Sequence, residues 1–490
     1  MKNRMYMNKL FLLIMSVLFT ACSDFLEKYP PDKLNTDNFW QTEEDAVYSI
    51  NSAYSPLQSK GMYGRDAARW GAKTEELFRA GDFYNYDLYL PSSSESNQGY
   101  NAAFKGILYA NMNLAYIPDM DISGDLKERI LGEAYFLRGF YYYFLVRWYG
   151  DVPIILDVPT STTNFNIPRE ASEKVYEQVI SDFNMAIEKL PEKSELSSED
   201  LGRATKGAAM TMLADLYLYL AASNNMDKSY YEKVKTLCTT IINSGQYNLE
   251  SSFAELWNIK SENGVESIFE IQFAKGFKTE GHQVGEFVTA WNSTTVQDAF
   301  YDSWDAADQR RAVSVILPGE TYADYTNISS FKHQKKLITG AVDAAGPGGG
   351  SGYDSPRNFI VQRYANVLLM YAEATNELGS TPPAEAVEYV NRIRNRAGLS
   401  DLATSVTRDK IAFREAIRTE RKYELAFEGF RWFDLVRYEK MGVGGGISDI
   451  LMDATSPYYN STLSLPKHYV FPIPQSELDA NPAFIQNPGY

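Results

Sequence analysis

Two carboxylates pose the first chemical question in this chain. Glu420 and Glu424 lie one turn apart in the run IAFREAIRTERKYELAFEGFRWFDLVR. At 100° per residue they share a face with Phe413, Ala416, Ile417, Phe427 and Arg431, the stripe that should meet the core. A buried acid pair could serve general acid–base catalysis. Buried acids also persist when ion-paired, and Arg392, Arg394, Arg396, Arg421 and Arg431 are close in sequence to supply planar donors. An Arg–Glu lattice locking helix to helix is the commoner cause of such a pattern and is the expectation here.

Other catalytic signatures are missing. His282, His333 and His468 are far apart, and no HExxH, CxxC or GxSxG occurs. The run Gly346-Pro347-Gly348-Gly349-Gly350-Ser351-Gly352 lacks the Lys-Ser/Thr of a phosphate loop and reads as a flexible loop. A glycosidase needs two opposed carboxylates about 5 to 9.5 Å apart. Among 63 acids none lies in a hydrolytic motif. No catalytic residue, metal site or cofactor is expected.

The informative excess is aromatic: 35 Tyr, 26 Phe and 7 Trp. Flat rings with a polar handle stack on the apolar faces of sugars while amides and charged groups bond the hydroxyls. A ring at helical spacing is usually core, and Tyr141-Tyr142-Tyr143-Phe144 reads that way. Rings in loops are better binding candidates. Trp70, Tyr84 and Tyr100 fall in or at the end of a long insertion, with Arg65, Asn97 and Asn101 as polar neighbours. Trp291, Trp304 and Tyr322 fall in a second irregular region.

Helices must position these loops. Periodicity predicts a helix from a Thr42 cap to about Leu57, then Tyr100–Tyr116, Leu126–Tyr149, Ser172–Leu190, Ala204–Ala222 and Tyr230–Ser244. Later comes a hairpin in 357–398, with Gly379 ending its first helix and Pro382 and Pro383 opening its second. Leu213 and Tyr217 precede Val234, Leu237 and Ile241 at an offset resembling that of Leu369 and Ala372 before Val387, Val390 and Ile393. Helix hairpins of this size predict a mainly α, TPR-like scaffold, with helices mainly in 37–245 and 357–440. The loop-rich regions are about 60–98 and 246–356, where only 267–273 alternates like a strand.

At the N-terminus, Lys2, Arg4 and Lys9 precede an apolar run from Leu10 to Thr20, which reads as a signal peptide over 1–21. Phe19-Thr20-Ala21-Cys22 resembles a lipobox, which makes Cys22 the expected lipidation site and membrane anchor. Residues 22–36 follow as an extended tether to one body over 37–490. Cys238 is the other cysteine and reads as a small buried hydrophobe. The full sequence carries a net charge of −16, and removing 1–21 takes away three basic side chains and no acid. Nucleic acid is therefore an unfavourable partner, while neutral ligands fit.

The runs RYANVLLMYAEATNELG, VNRIRNRAGL, ERKYELAFEGFRWFDLVR and QNPGY resemble the SusD/RagB family of outer-membrane nutrient-binding lipoproteins. The resemblance extends to CSDFLEKYP, DNFW, EAYFLRGFYYYFLVRWYGDVPI and RATKGAAMTMLADLYLYL, and so spans nearly the whole mature chain in order. It implies a TPR-like scaffold with an irregular ligand-contact region packed on it. It also implies a surface lipoprotein that passes a nutrient, an oligosaccharide first of all, to a SusC-like TonB-dependent transporter. Tyr100, Phe104, Ile107 and Asn111 fit the family pattern W-x3-Y-x2-I-x3-N with Tyr for the first Trp, which makes Tyr100 the leading ligand contact. The alternatives are peptide uptake on the same fold, a surface glycan hydrolase, or a TPR adaptor. The adaptor expects Trp70, Tyr100 and Trp291 to be buried, with no exposed aromatic patch.

Overall fold

A computed structural model describes residues 39–78, 93–160, 166–223, 226–274, 281–282, 295–322, 325–338 and 355–490. The signal peptide, the tether with Cys22, Tyr84 and Trp291 lie outside the described residues.

The chain enters the body through α1 (Glu43–Tyr54). Thr42 starts it with a reciprocal cap: the Asp45 N–H donates to Thr42 Oγ1 at 3.1 Å, and the Thr42 N–H donates to Asp45 Oδ2 at 2.8 Å. Such a cap contributes about 1 kcal/mol. Then follow α2 (Ser93–Tyr116), α3 (Gly124–Tyr149), α4 (Ser172–Lys189), α5 (Lys206–Ser223) and α6 (Lys228–Asn243). Each packs on the next.

Burial alternates along this stack in a way the sequence explains. In α5 every residue from Gly207 to Ala222 is buried, so an apolar sequence all round becomes a central helix. Its neighbours are amphipathic. α4 buries Val175, Val179, Phe183 and Ala186, and α6 buries Tyr231, Val234, Cys238 and Ile241, each on one stripe. Close approach is needed where α2 crosses α3: a Cβ at Gly106 would stand 2.1 Å from the Tyr141 ring.

The stack resumes more than a hundred residues later. α7 (Tyr364–Leu378) packs directly on α6, and α8 (Ala384–Arg396) packs on α7. Gly379 caps α7 and Pro383 stands at the N-cap of α8. Most of the intervening segment is therefore an excursion from a continuous helical scaffold, as expected for a mainly α fold.

Two features differ from the sequence reading. The run from Phe413 to Arg431 is not one helix: α9 (Lys410–Glu424) stops, and α10 (Arg431–Met441) begins after a turn. Phe427 there has φ +66° and donates its N–H to Glu76 at 3.1 Å. Gly429, φ +86°, lies against Trp70, where a Cβ would come within 2.8 Å of the ring. The turn is held by contacts from the far end of the chain, which local periodicity does not register.

The second difference concerns FIVQR, which reads as the start of α7. It forms a strand of its own, Phe359–Arg363, antiparallel to the anticipated strand Ser267–Ile271. Further two-stranded pairs brace the excursion: β1 (Leu77–Phe78) with Thr295–Val296, Val315–Ile316 with His333–Gln334, and Thr321–Tyr322 with Tyr325–Thr326. Among the described residues no helix is long and apolar enough to cross a membrane.

Candidate functional site

Glu420 and Glu424 face inward, 2% and 0% exposed. Arg310 bonds Glu420, and its Nη1 lies 2.9 Å from Glu424 Oε2. Arg363 reaches Glu424 at 2.5 Å, Glu266 at 2.9 Å and Glu428 at 2.7 Å. Arg396 bonds both Glu266 and Glu424, while Lys336 pairs with Glu428 at 2.8 Å. Burial pushes the Glu424 carboxyl up, but Arg396, Arg363 and Arg310 outweigh it and hold the group well below the usual carboxylate range. The pair is the core of an ion lattice with no open face for a substrate.

Of the nominated arginines, Arg394 and Arg396 join this lattice. Arg421 pairs instead with Asp434 at 3.0 Å, Arg431 with Glu75 at 2.5 Å, and Arg392 donates to Asn248 at 3.1 Å. Arg310 and Arg363 were missed. They come from the excursion and from the strand misread as helix, so their place is set by tertiary packing.

Three nominated rings do not offer free stacking faces, a correction to the expectation. Tyr100 is 2% exposed, with its ring 4.8 Å from Phe104 and 5.1 Å from Tyr149. Trp70 is buried among Tyr63, Phe144, Trp148 and Phe359. Trp304 is buried and stacks on Tyr423 with centroids 5.0 Å apart. Large rings gain most when fully desolvated: Tyr100 is buried from within α2, while the segments carrying Trp70 and Trp304 fold onto helices α3 and α9. Asn101 is exposed on α2, and Tyr322 is half-buried with Lys335 Nζ 4.7 Å from its ring. Nothing among the described residues joins those two into one site.

An open aromatic surface exists elsewhere. Phe78, ending β1, is 56% exposed, and Tyr459 in the C-terminal segment is 49% exposed. Both line a cleft of about 370 Å³ with Tyr458, Gln297, Asn460 and Thr462. The cleft has a rigid frame. Gln297 Nε2 donates to the carbonyls of Thr74 and Leu77, each at 3.3 Å, and Thr295 Oγ1 donates to the Phe78 carbonyl at 3.0 Å. Asn460 Oδ1 accepts from the Thr462 N–H at 2.9 Å and from Thr462 Oγ1 at 2.6 Å, an Asx turn that fixes the far wall. Tyr458 packs on a hydrophobic cluster containing Leu77, Val296, Phe300 and Trp304, so nominated Trp304 backs the cleft from inside.

Lys73 is the one charged residue in the lining among the described residues, and it is buried, with Nζ 4.2 Å from the Trp432 ring and 4.3 Å from Phe471. Burial pushes its amine well below the usual lysine range. Among the described residues, neutral amides, hydroxyls and rings therefore make up the accessible chemistry, which suits a neutral polar ligand with apolar faces. The sequence signal for this wall is the run Tyr458-Tyr459-Asn460-Ser461-Thr462, which lies beyond both the expected helices and the expected loop-rich regions. Among the described residues no group of His, Cys, Asp and Glu is arranged to hold a metal ion.

A stack of helix hairpins carrying a loop-built, neutral aromatic cleft defines a ligand-binding architecture. The chain belongs to the SusD family, whose match covers residues 222–490; residues 24–218 match a family described as starch-binding associating with outer membrane. It is similar to SusD-like protein P2 of Formosa agariphila, 28% identical and covering 98% of this chain and 99% of that one. Among solved structures it resembles a SusD homolog from Bacteroides thetaiotaomicron, 26% identical, with TM-score 0.78 over 94% of this chain and 99% of the other. It also resembles surface glycan-binding protein A from Bacteroides uniformis, 24% identical, with TM-score 0.77 over 91% and 99%.

Proposed function

We propose that this protein is a cell-surface lipoprotein that captures a neutral oligosaccharide and delivers it to a SusC-like TonB-dependent outer-membrane transporter. The observation that carries the reading is the cleft between Phe78 and Tyr459, where exposed rings border amides and hydroxyls and, among the described residues, the accessible lining carries no charge. Family membership and the outer-membrane description of the matched family support the location and the partner. The name of the fold neighbour from Bacteroides uniformis is in keeping with the ligand class. Cys22 supplies the anchor. The role is binding, with Phe78 and Tyr459 as stacking faces, Gln297 and Asn460 as hydroxyl partners, and Tyr84, Asn101, Trp291 and Tyr322 as further contacts. Tyr100, Trp70 and Trp304 support the surface through packing.

An exposed pair of rings is what the adaptor alternative excludes, although the burial of Trp70 and Tyr100 is what it expects. No acidic residue lines the cleft among the described residues, so it gives no reason to prefer cationic peptides. Calorimetry of the soluble form starting at Ser23, against neutral plant, host and microbial polysaccharides and a peptide panel, tests the reading. Saccharide binding lost in a Phe78→Ala/Tyr459→Ala double variant supports it. Peptide binding alone, or turnover of a bound glycan, overturns it.

A further inference from the structure

A second cleft, of about 440 Å³, opens on another part of the body and shares no lining residue with the first. One wall is the end of α1 and the turn after it, with Asn51 and Ser55 exposed and Tyr54 half-buried. The opposite wall is Gln272, just past the end of the strand Ser267–Ile271, and the rim is Leu201, 45% exposed, with Arg203.

The walls are fixed before any ligand arrives. Gln272 Oε1 accepts from Asn263 Nδ2 and Asn358 Nδ2, each at 2.9 Å, and Gln272 Nε2 donates to Asn263 Oδ1 at 3.0 Å. Gly202, φ +96°, lets the loop lie on this amide, since a Cβ there would stand 2.4 Å from it. Arg203 donates to Asp200 at 2.9 Å, to Glu133 at 3.0 Å and to Asn51 Oδ1 at 2.9 Å. Preorganised polar walls lower the ordering cost of binding.

Charge selects the ligand. Arg203 is already neutralised by Glu133 and Asp200, so an anion gains little from it. Glu270 is 1% exposed, and its carboxylate accepts from the Asn263 N–H and from Asn358 Nδ2. What faces the opening is an amide, a hydroxyl, the exposed carboxylate of Glu199 and apolar surface from Tyr54 and Leu201. Glu199 repels an anion and can accept from hydroxyls, so the cleft suits a polyhydroxylated ligand without negative charge.

We propose that this cleft is a second saccharide-binding site, separate from the Phe78–Tyr459 cleft, and that the protein grips a long neutral glycan at two points. The inference rests on the glycan reading above. Two sites on one chain raise the apparent affinity for a polymer over that for a short fragment.

The test uses the soluble form starting at Ser23, titrated with the best-binding polysaccharide of the panel and with short oligosaccharides cut from it. Ser55→Trp fills the second cleft from an exposed position, and Leu201→Trp does so from the opposite rim; circular dichroism and thermal melting confirm which of the two is folded. The expected result is two sites per chain for the short oligosaccharide, one in the filled variant, and about a tenfold or greater loss of polymer affinity. A filled variant with wild-type stoichiometry and affinity overturns the second site and leaves the first intact. Binding lost only on filling, and untouched in Phe78→Ala/Tyr459→Ala, supports the second site and overturns the assignment of the first. Absence of binding to every glycan overturns both, and a peptide displaced by filling overturns the ligand class.

Discussion

Arg363 closes its strand with Nη1 2.5 Å from Oε1 of Glu424, the last residue of α9, and both side chains are fully buried. One pair thus ties the strand pair inserted in the excursion to the helix that follows the hairpin stack. Burying two charges costs more than their attraction returns unless the remaining lone pairs are satisfied. Here Glu266, Glu428, Arg310 and Arg396 satisfy them.

Removing one partner should therefore be severe. Glu424→Gln leaves three guanidinium groups short of a negative charge and should cost about 3–5 kcal/mol of stability, the usual penalty for breaking a buried pair. Denaturant unfolding reads the loss. Ligand affinity of the folded fraction should be unchanged, because Glu424 lines neither cleft; a specific loss of binding or of turnover would return Glu424 to a functional role.

Stability should depend on pH through Glu76, which is 1% exposed. Burial and the neighbouring Glu75 push its carboxyl up to about 8, against partial relief from the Phe427 N–H, Arg431 and Lys336. The folded state then keeps this proton while the unfolded chain releases it near its ordinary value of 4.5. Between these pH values the native state binds more protons, so stability falls as pH rises, by up to about 1.4 kcal/mol per pH unit. Glu262, pushed up to about 7 by burial, acts in the same direction. Glu76→Gln should match the wild type near pH 5 and exceed it by a few kcal/mol near pH 8, on the order of the linkage slope. Denaturant midpoints at both pH values measure this, and identical pH profiles would show that Glu76 is ionised in the fold.

What could be read from the sequence follows the range of the physics. Amphipathic stripes and caps are local, so α1, α4, α6 and α8 were anticipated, as was the inward face of Glu420 and Glu424. The partners of those acids were not: Arg310 is 110 residues from Glu420. Ring exposure failed for the same reason. Trp70 is buried by Trp148 and Phe359, whereas Phe78 keeps an exposed ring at the end of β1, which pairs with Thr295–Val296. The cleft itself joins residues near 75, 297 and 460, a proximity that no spacing in the chain announces.

Tyr100 offers a test that separates packing from ligand contact. Its Oη is buried without a hydrogen-bond partner among the described residues, while its ring packs on Phe104 and Tyr149. Tyr100→Phe keeps the rings and removes a hydroxyl whose desolvation costs about 1–3 kcal/mol, so it should be neutral or stabilising. Tyr100→Ala should cost about 3–5 kcal/mol through the cavity it leaves. Thermal melting of both, beside glycan affinity, decides the role: a Phe variant that melts like the wild type but no longer binds would make the hydroxyl a direct ligand group.

The Phe78–Tyr459 cleft should bind without help from charge. Among the described residues its accessible lining is amide, hydroxyl and ring, and Lys73 is buried against Trp432 and Phe471, so the lining offers no ion pair for salt to screen. Affinity should stay constant between low and high ionic strength. Tyr459→Ala removes an exposed ring that the core does not need, and loss of one stacking face should weaken binding about tenfold, in line with roughly 1–1.5 kcal/mol for an aromatic contact, with little change in melting temperature. Tyr459→Phe should retain most of the affinity, because the stacking face survives. Strong salt dependence, or equal loss in the Phe and Ala variants, would show that a charged ligand or the Tyr459 hydroxyl dominates recognition, and stacking on a neutral sugar would no longer explain the cleft.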